Sequence, residues 1–157
     1  MDKAERLMAH FSGINYIFDP SMPAGQKGLY IDNHVYLNPD QTPEELTATV
    51  AEEIAHYLTS VGDIVSQDTN EKRKQEQRAR DVGATLVVTP DDIIDCHKER
   101  FSTAWECAEY LGVTRESFQH AVSVYARMYE EGLDYKQYRL LFRPDGTIGV
   151  FEFFESP

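Results

Sequence analysis

The stretch Ala51-Glu52-Glu53-Ile54-Ala55-His56 carries carboxylates and an imidazole at spacings that suit metal chemistry. An α-helix advances about 100° per residue, so Glu52 and His56 would lie about 40° apart and one turn apart along the axis. Both could then reach one ion. Glu53 would lie roughly 60° from His56 and need not be a ligand. Two groups that hold a metal, with a neighbouring carboxylate that takes a proton from water, are the parts of a hydrolytic site. The pattern differs by one letter from the zinc motif His-Glu-x-x-His, in which both histidines bind metal and the glutamate is the base. Taken alone, Glu-Glu-x-x-His is short. A solvated acidic helix face with one incidental histidine produces it equally well.

Such a site needs a third ligand. Glu76 is a candidate, because Ala79, Gly83 and Leu86 follow it at spacings of three, seven and ten. Small residues at 79 and 83 would let this helix approach the first closely and turn Glu76 toward Glu52 and His56. Alternatively, Glu76 pairs with Arg80 one turn along its own helix.

The elements that must position these residues are legible in outline. Residues 3 to 11 suit a short helix with Leu7, Met8 and Phe11 on its apolar side, and Asn15-Tyr16-Ile17-Phe18 suits a strand. After a Pro- and Gly-containing loop, Gly28-Leu29-Tyr30-Ile31 and Val35-Tyr36-Leu37 flank Asp32-Asn33-His34, which suggests a hairpin. Thr42, Pro43 and Glu45 form a strong helix start. Leu46, Val50, Ile54 and Leu58 then make a core stripe, and Ser60-Val61-Gly62-Asp63 ends this helix. A polar linker over 64–70 leads to a second helix over 71–88. Asp91-Asp92 starts a third, Ser102 caps a fourth, and Arg115 to Glu130 forms a fifth. The tail returns to β-type sequence at Tyr138–Phe142 and Ile148–Phe154 around a Pro144-Asp145-Gly146 turn.

In this order the motifs resemble the ImmA/IrrE metallopeptidases of phages and mobile elements. Gly28 to Asn38 resembles the hairpin before the active helix of that family, and Thr49 to Tyr57 resembles its metal helix in a Glu-Glu-x-x-His variant. Val61-Gly62-Asp63 is similar to the exit of one branch, and Lys74 to Arg80 resembles the following helix. The resemblance implies an α+β, minimal gluzincin-like fold with a small N-terminal antiparallel sheet, two central metal helices and a helical C-terminal half. It implies Glu52, His56 and Glu76 as metal ligands and Glu53 as general base. It further implies an endopeptidase whose substrate is a helix-turn-helix repressor. Two carboxylates and one imidazole form a harder, more anionic set than two imidazoles and one carboxylate. Zn²⁺ remains the expected ion, Mn²⁺ or a similar ion is better tolerated, and water activation is expected to be slower. The rival expectation is a noncatalytic protein that binds a repressor, its metal structural or absent.

Other residues are less specific. Tyr57 could donate to a developing oxyanion or simply pack. His34 and His97 read as surface or packing histidines. Asp63 could hold the second nitrogen of His56 or only shape a turn. Ala108 to Phe118 has the form of a helix-turn-helix, but Glu106, Glu109, Glu116, Glu130 and Glu131 outnumber Arg115 and Arg127 there. A packing or protein-docking unit is the better reading.

The length, 157 residues, suits one domain over 1–157, divided into a catalytic core at 1–90 and a helical subregion with a terminal β segment at 91–157. The formal charge of −12 argues against direct binding of nucleic acid or anionic membrane and suits a basic protein partner. Cys96 and Cys107 lack metal-type spacing and read as reduced thiols. With no long apolar segment, the chain is expected to be cytoplasmic.

Overall fold

The computed structural model describes residues 1–60 and 69–154. Among these, six helices and six strands form an α+β arrangement with two small sheets. The helix exit expected at Val61-Gly62-Asp63 and most of the linker after it lie outside the described residues.

Helix α1 (Lys3–His10) starts at Asp2, whose side chain accepts from the Glu5 amide. Strands β1 (Asn15–Phe18), β2 (Gly28–Ile31) and β3 (His34–Leu37) form the N-terminal sheet. Asp32 and Asn33 both take left-handed backbone angles, φ 46° and 67°, as a two-residue hairpin turn requires. The antiparallel β2–β3 pair is the expected hairpin. The sheet as a whole is mixed rather than antiparallel, because β1 joins the other edge of β3 in parallel. Phe18 and Gly28 both flank Leu37. The loop 19–27 therefore has only to step over one strand, about 10 Å, and that crossing sets the direction of β1.

Helix α2 (Pro43–Thr59) begins with a full capping box: Thr42 accepts from the Glu45 amide and the Glu45 side chain accepts from the Thr42 amide. Val50 and Ile54 are fully buried against Val35 and Leu37 of the sheet and Ala4 of α1. The expected stripe ends early. Leu58 is largely exposed, because α2 outruns the small sheet beneath it.

Helix α3 (Thr69–Val87) makes the most extensive helix–helix contact of the fold with α2. Ala79 is fully buried. A Cβ on Gly83 would stand 3.3 Å from both the Ala51 carbonyl oxygen and the Glu52 Cα. The expected small-residue approach is thus present, and it is backbone against backbone.

Helices α4 (Pro90–Lys98), α5 (Ala104–Leu111) and α6 (Arg115–Met128) follow. The cap of α5 is Thr103, one residue beyond the expected Ser102, because Thr103 is the residue whose hydroxyl accepts from the Glu106 amide. Strands β4 (Leu133–Tyr135), β5 (Tyr138–Phe142) and β6 (Ile148–Glu152) form an antiparallel sheet; β4 was not foreseen. The second hydrophobic cluster lies here, from Ala51 and Val88 through Phe118 and Tyr125 to Leu140. The buried Tyr125 hydroxyl donates to the Val88 carbonyl at 2.8 Å. Lys3 pairs with Asp92 at 2.8 Å and ties α1 to α4. No helix among the described residues is long and apolar enough to cross a membrane.

Gly83→Val would drive two methyl groups into the α2 backbone, which cannot rotate aside. The expected loss of stability is about 1–3 kcal/mol, read as a lowered midpoint of urea unfolding with an unchanged slope.

Candidate metal centre

Two turns of helix geometry deliver the candidate ligands. On α2, Glu52 points to solvent and His56 is half-buried. On α3, the Gly83 approach and the buried Ala79 fix the helix so that Glu76, one turn before Ala79, faces them. One ligand atom from each of Glu52, His56 and Glu76 lies within 4.8 Å of the others. His56 Nε2 stands 3.8 Å from Glu76 Oε2, too far for a hydrogen bond. Glu76 makes no ion pair with Arg80 among the described residues. The donor set fits a divalent cation: two carboxylates and an imidazole converge from two helices. The mutual repulsion of the carboxylates is the cost that such an ion would offset.

Glu53 lies on the inner side of this group, with only 9% of its surface exposed. Its carboxylate accepts no hydrogen bond among the described residues. Burial, then the charges of Glu52 and Glu76, push its pKa from the ordinary 4.5 up to about 7. What encloses it is the hairpin. A Cβ on Gly28 would fall 2.6 Å from Thr49 Cγ2 and 3.2 Å from Glu53 Cγ. Gly28 thus lets the first residue of β2 lie on the side chain of Glu53. No role had been expected for it, although a strand glycine is the usual mark of a close approach.

The remaining candidates make other contacts. Tyr57 packs edge-on to Tyr30, with ring centres 6.3 Å apart. His34 donates through Nδ1 to its neighbour, the Asp32 carbonyl, at 2.7 Å. His97 lines a different cavity of about 920 Å³, bounded by α4, α5, α6 and the β5–β6 hairpin, which shares no residue with the centre. Cys96 and Cys107 are buried free thiols on the wall of that cavity. Asp63 lies outside the described residues. The α5–α6 turn forms at Gly112 in the left-handed conformation, φ 71°, and both helices pack into the second core cluster.

The raised pKa of Glu53 has a sign that can be measured. The folded chain holds this proton more tightly than the unfolded chain does. Its contribution is favourable below pH 4.5 and is lost as the pH rises through about 7. In chelator, stability should fall over that window by on the order of 3 kcal/mol more than in Glu53→Gln. Thermal unfolding of both proteins across the window checks this. Parallel profiles would contradict the burial of an ionisable group here.

Residues 10–123 match the family described as the IrrE N-terminal-like domain, a family of peptidases. No curated protein matches the chain. Among solved structures, a Mycobacterium tuberculosis transcriptional regulator is similar in fold, with a TM-score of 0.58 at 18% identity over 77% of this chain. The chain spans 40% of that regulator's length. With more than half of its residues matched, including both helices that carry Glu52, His56 and Glu76, the chain belongs to the IrrE N-terminal-like domain family.

Proposed function

We propose that this protein is a metal-dependent endopeptidase that cleaves a specific protein, a helix-turn-helix repressor of a phage or mobile element. The observation that carries the reading is the convergence of Glu52, His56 and Glu76 beside a buried carboxylate that accepts no hydrogen bond among the described residues. Within this reading, residues 1–90 are the catalytic core and 91–157 a helical subregion with a terminal β segment.

Glu52, His56 and Glu76 would hold the ion, Zn²⁺ or Mn²⁺, and its chemistry there would be to polarise the scissile carbonyl and acidify water. Glu53 is the base. Its pKa near 7 suits proton exchange at neutral pH. As the water oxygen bonds to the carbonyl carbon, its proton passes to Glu53. When the C–N bond breaks, Glu53 gives that proton to the leaving amine. Strand β2 lies at the edge of the sheet, beginning beside Glu53. Its outer backbone groups can pair with an extended substrate. The formal charge of −12 favours encounter with a basic DNA-binding protein.

Purified protein with Zn²⁺ or Mn²⁺ should cut a repressor encoded beside it. Glu53→Gln should lower the rate about 100-fold or more while metal content by elemental analysis stays unchanged. Glu76→Ala should weaken metal affinity by about 100-fold, measured by competition with a chromogenic chelator. Repressor binding without cleavage, indifferent to Glu53→Gln, marks a noncatalytic repressor-binding protein instead.

A further inference from the structure

We infer that the basic face of α3 around Glu76 reads an acidic stretch of the substrate polypeptide; this rests on the peptidase reading above. Lys72, Arg73, Glu76, Gln77 and Arg80 line one groove of about 450 Å³. Lys74 and Arg78 line the adjoining groove, which shares Gln77 and also holds Asp81, itself paired with Arg127. Five of the chain's fifteen cationic side chains thus fall within 72–80, in a protein with 27 acidic ones. All five are exposed, and none forms an ion pair among the described residues.

Folding does not account for this cluster. Lys74 and Arg78 repel each other one turn apart, and Lys72, Arg73 and Lys74 crowd three like charges in succession. An anion bound from outside does account for it, since guanidinium groups grip carboxylates through paired hydrogen bonds. Glu76 belongs both to the groove and to the metal centre. A polypeptide with its scissile bond at that centre can therefore continue along α3, where aspartate or glutamate side chains meet Arg73 and Arg80. Nucleic acid fits less well. Its charge recurs at every link and would face Glu52, Glu53 and Glu76, whereas a peptide can keep its acidic residues clear of them.

The test is fluorescence anisotropy on the full chain carrying Glu53→Gln, with Zn²⁺ present. The probes are a glutamate-rich peptide, its glutamine counterpart and a single-stranded DNA oligonucleotide. The acidic peptide should bind at least about tenfold more tightly than the glutamine peptide. The double substitution Arg73→Glu/Arg80→Glu should erase that preference, while Arg115→Glu on α6 leaves it. Equal binding of the two peptides, or a preference that survives the double substitution, overturns the inference. So does oligonucleotide binding that is tighter than peptide binding and lost with the same substitutions. Binding needs no turnover, so a protein that never cleaves still reports here. Conversely, repressor cleavage indifferent to the charge reversal leaves the peptidase standing and removes this surface.

Discussion

The backbone of α3 at Gly83 lies against the backbone of α2 at Ala51 and Glu52, and the meeting of Glu76 with Glu52 and His56 depends on that approach. Helix axes come this close only where one partner lacks a side chain. Glu76 then needs only its own length to reach His56. Were α3 displaced by the width of a side chain, Glu76 would remain on the correct face and still miss the centre. The same residue of α2 that receives Gly83, Ala51, is also where the second core cluster begins. The approach is thus fixed by packing on both sides.

Charge in this molecule is arranged in tension. Glu52 and Glu76 gather about a single imidazole, and their charges add to burial in raising the pKa of Glu53 beside them. Beside them runs a basic helix face that forms no ion pair among the described residues. Glu76 stands where the two meet: its carboxylate lies 3.8 Å from His56 and also lines the groove of Lys72, Arg73 and Arg80. Two surfaces of opposite sign, side by side, are a useful arrangement for binding.

Much of this was legible in the sequence because it is local. The capping box at Thr42 and Glu45 is decided within four residues. The phase of Glu52 and His56 follows from helical rotation, and the small residues at 79 and 83 announce a close partner. What was not legible depends on distant chain. The direction of β1 is set by where a nine-residue loop crosses β3. Leu58 keeps the core period but is stranded because the sheet stops short of it. The burial of Glu53 depends on Gly28, twenty-five residues away, and no window along α2 contains that information.

Position 52 combines an exposed side chain with a fixed backbone. Its neighbours Ala51 and Glu53 are held by packing, but the residue itself fills no space that another side chain must match. The residue at this position can therefore change without a folding penalty, so the donor set of the candidate centre is open to selection while the scaffold stays the same. A glutamate where the zinc motif has a histidine is the kind of exchange such a position permits.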